Sequence, residues 1–236
     1  MKALFTYGLF ELNKRIRYNE DTIIRLANRG KMNQMKSIVL AGDYGYIRQI
    51  ETTIKSLCCY HEGLLIYVFN QDIPQEWFIN TRKKVKGTGN DLRDIKLLRD
   101  DLRMKWEEST YSHINYMAYA RYFIPEYVKA DRALYLDCDL VVTQNLDHLF
   151  DLDLEDYYIA AVRATFGLGI GFNSGVMLIN NERWRRENIS QQLVELTDRE
   201  IERVLEGDQS ILNMLFVGQY LELEDSYNFQ IGFDMG

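Results

Sequence analysis

The sequence predicts an α/β fold with a mainly parallel central sheet flanked by helices. Short apolar runs, typical of buried parallel strands, alternate with longer segments in which apolar residues recur every three or four positions. Of the 236 residues, 47% are hydrophobic and only 2 are proline, as expected for an ordered globular chain. A sheet of this kind binds its ligands at the carboxyl ends of its strands.

The first half of the chain, from Lys36, supplies three predicted strands and three predicted helices. The strands cover residues 38–41, 64–69 and 94–98. The helices show three- and four-residue apolar spacing. They cover residues 47–59, a segment that Pro74 opens, and residues 112–123, which Pro125 should end.

The second half supplies three more strands and two helices. The predicted strands cover residues 133–136, 157–161 and 175–179. The predicted helices cover residues 189–205, which are polar, and residues 209–216, which are apolar. No internal repeat or low-complexity segment interrupts this pattern.

Two carboxylates, Asp137 and Asp139, follow the strand at residues 133–136. Side chains at positions i and i+2 of a strand share one face, so a strand that frays after Leu136 brings both to one point. Neighbouring carboxylates repel unless a cation lies between them or one takes up a proton. Mg²⁺ or Mn²⁺ suits such oxygen ligands, although a solvated strand end would show the same pattern.

Other polar residues have a structural interpretation beside a functional one. The loop at residues 41–43 could admit a flat ligand or be an ordinary turn. Arg121 lies on a predicted helix and is either a surface residue or part of a binding site. Asn173 and Ser174 precede a strand, and Asp208 could simply cap the helix that follows it.

Five motifs, in the same order along the chain, resemble those of the family 8 retaining glycosyltransferases. That family has the GT-A nucleotide-diphospho-sugar transferase fold. The motifs lie at residues 37–46, 113–121, 134–139, 172–180 together with 184–186, and 207–213. Any one of them alone would be weak, but their common order makes the match specific.

The resemblance implies a metal-dependent enzyme. It would move a hexose, galactose or glucose, from a UDP-sugar to a glycan, lipopolysaccharide or glycoprotein acceptor, with retention of anomeric configuration. A divalent ion would neutralise the diphosphate as it leaves. The implied cofactor is Mn²⁺ or Mg²⁺, with Asp137 and Asp139 as its ligands.

The resemblance also assigns roles to individual residues. Arg121, Asp208 and Gln209 would be catalytic, with Gln209 beneath the anomeric carbon. The implied nucleotide-sugar-binding residues are Ala41, Asp43, Tyr46, Arg121, Asp137, Cys138, Asn173 and Ser174.

Two alternative functions remain open at this point. Family members continue further and supply a His ligand and a Lys in a His…Gly…Lys-Pro-Trp segment, which this sequence lacks. The first alternative is therefore a catalytically weak or inactive nucleotide-sugar-binding remnant or subunit. The second is a haloacid-dehalogenase-like phosphatase, because Asp-x-Asp-x-Val after an apolar strand also resembles its nucleophile strand. That motif normally opens its domain, whereas here a full α/β segment precedes it.

Residues 1–34 differ from the rest, with seven Lys/Arg and three Asp/Glu. We expect an N-terminal extension outside the family match, followed by a GT-A domain at residues 35–236 whose C-terminal part is missing. The extension is either a basic amphipathic segment that touches a membrane or partner, or a segment without a role in the fold. We favour the second interpretation.

Charge and cysteine content exclude several classes of protein. The net charge of −7 argues against nonspecific nucleic-acid binding. The three cysteines form no metal-ligand spacing, and their odd number suits a reducing compartment. No apolar stretch approaches the ~18 residues of a membrane span, and the first residues lack a signal-peptide pattern. We expect a cytoplasmic protein, with residues 1–34 as a candidate contact to the inner face of the membrane.

Overall fold

The structure is a computed structural model that describes residues 35–103, 116–164, 171–204 and 206–230. Within these residues seven strands form one sheet in the order β3-β2-β1-β4-β6-β5-β7. The strands are β1 (Lys36–Ala41), β2 (Leu64–Asn70), β3 (Asp91–Lys96), β4 (Arg132–Leu136), β5 (Ile159–Arg163), β6 (Phe172–Asn180) and β7 (Tyr220–Leu223).

Helices connect the strands in the described part of the chain. The α-helices are α1 (Ile47–Tyr60), α2 (Gln75–Lys86), α3 (Ile124–Tyr127), α4 (Asn181–Arg186), α5 (Ile189–Glu200) and α6 (Asp208–Phe216). The 3-10 helices are Tyr44–Tyr46, Arg99–Leu102, Tyr116–Phe123, Asp147–Asp151, Ile201–Arg203 and Asp225–Asn228.

The strands send alternate side chains into two apolar layers, one on each face of the sheet. On β1, Ile38 and Leu40 pack in the layer that contains Ile54 of α1. Val39 packs in the other layer, which contains Trp184 of α4. Helices thus cover both faces of the sheet, as the alternating sequence pattern predicts.

Most strand pairs are parallel, but β6 is not. β1 pairs in parallel with β2 and β4, β2 with β3, and β5 with β7. β6 runs antiparallel to both β4 and β5, with Leu136 opposite Val176. Because of this reversal, the beginning of β6 lies beside the carboxyl end of β4. The Asp137 N–H donates to the Gly175 carbonyl at 2.8 Å, which joins the two motifs directly.

Several predicted elements differ from those observed. β3 lies three residues earlier at its start, because its pairing with β2 begins at Leu65 opposite Asp91. The segment before Pro125 is a 3-10 helix, and Pro125 lies in the first turn of α3 instead of ending a helix. There the missing N–H of proline is tolerated.

Two further differences concern the C-terminal third of the chain. The long predicted helix at residues 189–205 ends as α5 at Glu200, and its last turn tightens into the 3-10 helix Ile201–Arg203. The sequence analysis does not predict β7, which is only four residues long and buries one side chain.

The predicted extension at residues 1–34, and residues 112–115 of the helix predicted at 112–123, lie outside the described residues. Among the described helices, none combines the length and the apolar character that a membrane crossing requires.

Candidate active site

Arg121 lies at the centre of the candidate site, and its side chain is buried. Its Nη2 lies 3.2 Å from Asp137 Oδ1, and its Nε lies 3.0 Å from Asp208 Oδ2. Nη1 donates to the Ser174 carbonyl at 2.7 Å, and Nε donates to the Ala118 carbonyl at 2.9 Å. A guanidinium can make these contacts together because its donors form a fixed planar fork. Arg121 therefore ties together four separate parts of the chain.

Tyr135 completes the surroundings of the guanidinium. Its ring centroid lies 4.4 Å from Arg121 Cζ, and its hydroxyl donates to Asp137 Oδ1 at 2.8 Å. Desolvation lowers the pKa of Arg121, but the negative charge of Asp208, with Tyr135 and Asp137, raises that pKa above its ordinary value. The guanidinium therefore stays charged and compensates the carboxylates around it.

Asp208 is the first residue of α6, and its carboxyl group is buried. The expectation that Asp208 caps this helix is wrong, because Gly207 occupies the N-cap with a φ of 56° that favours glycine. Desolvation raises the pKa of Asp208 to about 6, with Asp137 adding to the rise and Arg121 opposing it. Asp208 Oδ2 receives no hydrogen bond from the described residues, because the nearby Nε–H of Arg121 is directed at Ala118. This buried oxygen is therefore compensated by the charge of Arg121, 3.0 Å away, and not by a hydrogen bond.

The two predicted metal ligands lie together at the end of β4. Asp137 is half-buried, with its Oδ1 held by Arg121 and Tyr135, whereas Asp139 is exposed. No group of three or more His, Cys, Asp or Glu side chains that could hold a metal occurs in the described part of the chain. The pair fits a hard divalent ion that takes its remaining ligands from phosphate oxygens and water, as Mg²⁺ commonly does.

The loop that carries Asp139 is held against α1. Thr53 is fully buried, and its Oγ1 lies 2.8 Å from the Cys138 carbonyl oxygen and 2.7 Å from that of Leu140. Ser56 Oγ accepts a hydrogen bond from the Val142 N–H at 2.9 Å. Helix α1 therefore fixes the backbone on both sides of Asp139.

Gly175 permits the close approach of Asp137 to β6. A Cβ atom at this position would lie 2.8 Å from Asp137 Oδ2 and 3.0 Å from Asn173 Oδ1. Asn173 Oδ1 accepts hydrogen bonds from the Gly175 N–H at 2.8 Å and from Asn228 Nδ2 at 2.6 Å. Any side chain at position 175 would displace the Asp137 carboxylate.

The side-chain amide of Gln209 is held on both sides. Its Oε1 lies 3.0 Å from the donating N–H of Ser174 and 3.4 Å from the Ser174 hydroxyl. Its Nε2 donates to Glu206 Oε2 at 3.1 Å. A backbone N–H must face the amide oxygen and a carboxylate must face the amide nitrogen, so these partners fix which way the amide points.

The loop after β1 contributes a small-residue wall. Ala41 ends β1, and Asp43 Oδ1 accepts a hydrogen bond from the Gly45 N–H at 2.8 Å, which caps the 3-10 helix that follows. Burial, together with Asp139 and Asp137, raises the pKa of the Cys138 thiol to about 12. Cys138 is therefore a neutral wall residue rather than a thiolate.

These elements enclose a cleft of about 290 Å³, which we call the carboxylate cleft. Its described lining consists of Ala41, Gly42, Tyr46, Met117, Ala118, Arg121, Tyr135, Asp137, Cys138, Asp139, Glu206 and Asp208.

The structure brings together seven of the eleven predicted site residues around the carboxylate cleft. Asp43, Ser174 and Gln209 are not in its described lining. Each contacts a residue that is: the Asp43 carbonyl accepts the Tyr46 N–H at 3.1 Å, and Ser174 and Gln209 contact Arg121 and Glu206 as given above. Asn173 instead lines a second cleft of about 960 Å³ that shares Asp137 and Asp139 with the first.

Two polar residues of the described lining, Tyr135 and Glu206, are not among the predicted site residues. Tyr135 could have been found, because it shares a strand face with Asp137 by the same i, i+2 rule that joined the aspartates. Glu206 carries no such signal, because it precedes α6 in a loop.

A family model described as "Glycosyl transferase family 8" matches residues 37–235. Glycosyltransferase GlyE of Streptococcus pneumoniae serotype 4 is 56% identical over 204 residues, which are 86% of this chain and 50% of that protein. Glycosyltransferase GlyA of the same organism is 41% identical over 229 residues, which are 94% of this chain and 31% of GlyA. The chain thus spans no more than half of the length of these two relatives.

The solved structures that resemble this one include those of two glycosyltransferases. The crystal structure of GlyE from Streptococcus pneumoniae TIGR4 has a TM-score of 0.75 and 53% identity, covering 85% of this chain and 48% of that chain. The galactosyltransferase LgtC, solved in complex with donor and acceptor sugar analogs, has a TM-score of 0.70 and 28% identity, covering 80% of this chain and 73% of LgtC.

Proposed function

Because the chain belongs to glycosyl transferase family 8, we propose that it transfers a hexose, galactose or glucose, from a UDP-sugar to a glycan, lipopolysaccharide or glycoprotein acceptor. The GT-A fold that the sequence predicts is confirmed by the likeness to GlyE and LgtC. The family match gives the phosphatase alternative no support.

The observation that carries the proposal is the cluster of Arg121, Asp137 and Asp208 beside the exposed Asp139. It places the carboxyl group of Asp208 in the lining of the same cleft as a carboxylate pair that fits a divalent ion. A nucleotide sugar carries both hydroxyl groups and a diphosphate, so one molecule could engage Asp208 and, through a divalent ion, Asp137 and Asp139.

We assign the metal to Asp137 and Asp139, with Mn²⁺ or Mg²⁺ as the ion. When bound, the ion would neutralise the charge that develops on the departing diphosphate. The chain itself orients the Asp137 carboxylate, because Arg121 and Tyr135 hold its Oδ1 and leave its Oδ2 for the ion.

The donor sugar lies, in this proposal, against Asp208 and Gln209. An ionised Asp208 accepts charge-assisted hydrogen bonds from sugar hydroxyls, which are stronger than neutral ones. Gln209 is held by Ser174 and Glu206, and a neutral amide is a poor nucleophile, so its role is to support the sugar and not to form a covalent intermediate. Retention of configuration remains an expectation from the family.

The base and ribose would lie along Ala41, Asp43, Tyr46 and Cys138, at the carboxyl end of β1. The reducing-compartment cysteine pattern leads us to propose a cytoplasmic location for the reaction, with residues 1–34 as the candidate contact to a membrane or partner.

Incubation of the purified chain with UDP-galactose or UDP-glucose and Mn²⁺ should release UDP, which mass spectrometry detects together with any glycosylated product. EDTA should abolish the release, because the diphosphate would then depart without its counter-charge. Asp156→Asn, a change at an exposed aspartate, serves as the matched control and should keep full release.

If the chain is instead an inactive binding subunit, the same experiment should give a different result. It would bind UDP in the presence of Mn²⁺ but release none from either UDP-hexose. That result would replace the transferase proposal by the binding one.

A further inference from the structure

The carboxylate cleft has an uneven balance of charge. Four carboxylates lie in its described lining, those of Asp137, Asp139, Glu206 and Asp208, against the single guanidinium of Arg121. Arg121 is already engaged by Asp137 and Asp208. The described lining therefore offers no further cationic side chain to pair with an additional anionic group of a ligand.

Of these four carboxylates, only that of Glu206 belongs neither to the predicted metal pair nor to the buried ion pair of Arg121 and Asp208. Glu206 is half-buried and stands two residues before Asp208. Its carbonyl accepts the Gln209 N–H at 3.2 Å, its N–H donates to Ser210 Oγ at 3.2 Å, and its Oε2 accepts from Gln209 Nε2. The two backbone bonds fix this turn, and the bond from Gln209 Nε2 orients the carboxylate. Glu206 thus lines the cleft together with Asp208, where the proposed donor sugar would lie.

We propose that Glu206 makes the donor pocket selective for UDP-hexoses with an uncharged sugar and against UDP-uronic acids. This inference rests on the proposed function, because it assumes that a UDP-sugar occupies the carboxylate cleft. A neutral hexose offers hydroxyl donors to the Glu206 and Asp208 carboxylates. A uronic acid carries a carboxylate in place of the hydroxymethyl group of a hexose. That carboxylate adds like charge beside Glu206 and Asp208, while the proposed divalent ion is engaged by the diphosphate and Arg121 by Asp137 and Asp208.

Like charges brought together in a binding site discriminate strongly between partners, by on the order of 30-fold or more in affinity. Discrimination of this kind comes from a repulsive element rather than from a better contact to the preferred ligand. Glu206 supplies repulsion without being needed for the metal or for Arg121, so it can be neutralised separately.

The test is competition calorimetry on the chain with Mn²⁺, using UDP, UDP-glucose, UDP-glucuronic acid, UDP-galactose and UDP-galacturonic acid. Each UDP-sugar affinity is divided by the affinity of the same variant for UDP alone. The wild type should prefer each neutral sugar over its uronic counterpart by on the order of 30-fold or more. Glu206→Gln should narrow this preference at least threefold, because glutamine keeps the size and an acceptor oxygen for Gln209 but removes the charge.

Glu195→Gln on the exposed surface of α5 is the matched control, and it should keep the wild-type preference. Equal normalised affinities of the wild type for neutral and uronic sugars would overturn the inference. So would a Glu206→Gln preference as strong as that of the control. A failure of the proposed function is distinguishable, because UDP alone would then not bind in any variant, and the inference would fall with it.

Discussion

Replacement of Arg121 by glutamine should lower the melting temperature by about 10 °C. The Arg121 and Asp208 side chains are only 6% and 10% exposed, so the change leaves a buried carboxylate without its partner. Removing one member of a buried ion pair costs about 3–5 kcal/mol. For a domain of this size each kcal/mol corresponds to roughly 2–4 °C.

Arg199→Gln is the matched control, because Arg199 pairs with Glu200 but is 67% exposed. Its cost should stay within about 0.5 kcal/mol. The double variant Arg121→Gln with Asp208→Asn should recover part of the loss, since it no longer buries an unpaired charge. If thermal unfolding shows that Arg121→Gln is no worse than Arg199→Gln, the guanidinium does not hold the site together.

Asp208→Asn should reduce UDP-hexose turnover by about 10- to 100-fold while the affinity for UDP barely changes. A hydrogen bond to a charged group contributes about 1.5–3 kcal/mol, and the neutral amide keeps the shape but loses this charge-assisted bond. Steady-state rates and UDP calorimetry on the same preparation separate the two effects. An equal loss in both would place Asp208 at the nucleotide, and no loss in either would leave it without a role at the sugar.

The same variant carries a signature in the pH dependence of stability. Burial raises the pKa of Asp208 from 3.8 to about 6, so between these pH values the folded chain holds a proton that the unfolded chain has lost. The contribution of this group to stability is therefore greatest near pH 4 and falls as the pH rises to about 6. Asparagine does not titrate. In EDTA, the melting temperature of Asp208→Asn should rise relative to the wild type between pH 4.5 and pH 7.

Much of the fold could be predicted from the sequence because its strands are short, continuous and apolar. β1, β2 and β4 were found within a few residues of their observed bounds, since each forms a buried run. The direction of β6 could not be predicted, because the spacing of apolar side chains is the same in parallel and antiparallel strands. The direction of β6 determines which residues meet in the site. In a parallel β6, Asn173 would lie near the amino end of β4, far from Asp137 at its carboxyl end.

The candidate site was predictable where polar residues end apolar strands, as at Asp137 and Asp139. It was less predictable where tertiary contacts decide the role of a side chain. Arg121 could have been a surface residue, and only the packing of α6 and β6 around it brings Asp208 and the Ser174 carbonyl to its donors. The position of Glu206 in the cleft likewise depends on a local turn, at Gly207, that the sequence pattern does not reveal.

The central claim is that Asp137 and Asp139 hold a divalent ion through which this chain binds the diphosphate of a UDP-sugar. Calorimetric titration of UDP tests it most directly, with Mn²⁺, with EDTA, and with Asp139→Asn in Mn²⁺. We expect the affinity for UDP to fall at least about tenfold in the second and third titrations. The diphosphate would then lose its charge pairing with the ion, and the remaining contacts would not replace that interaction. Asp156→Asn should bind as the wild type does. Equal affinity for UDP in all three titrations would contradict the claim.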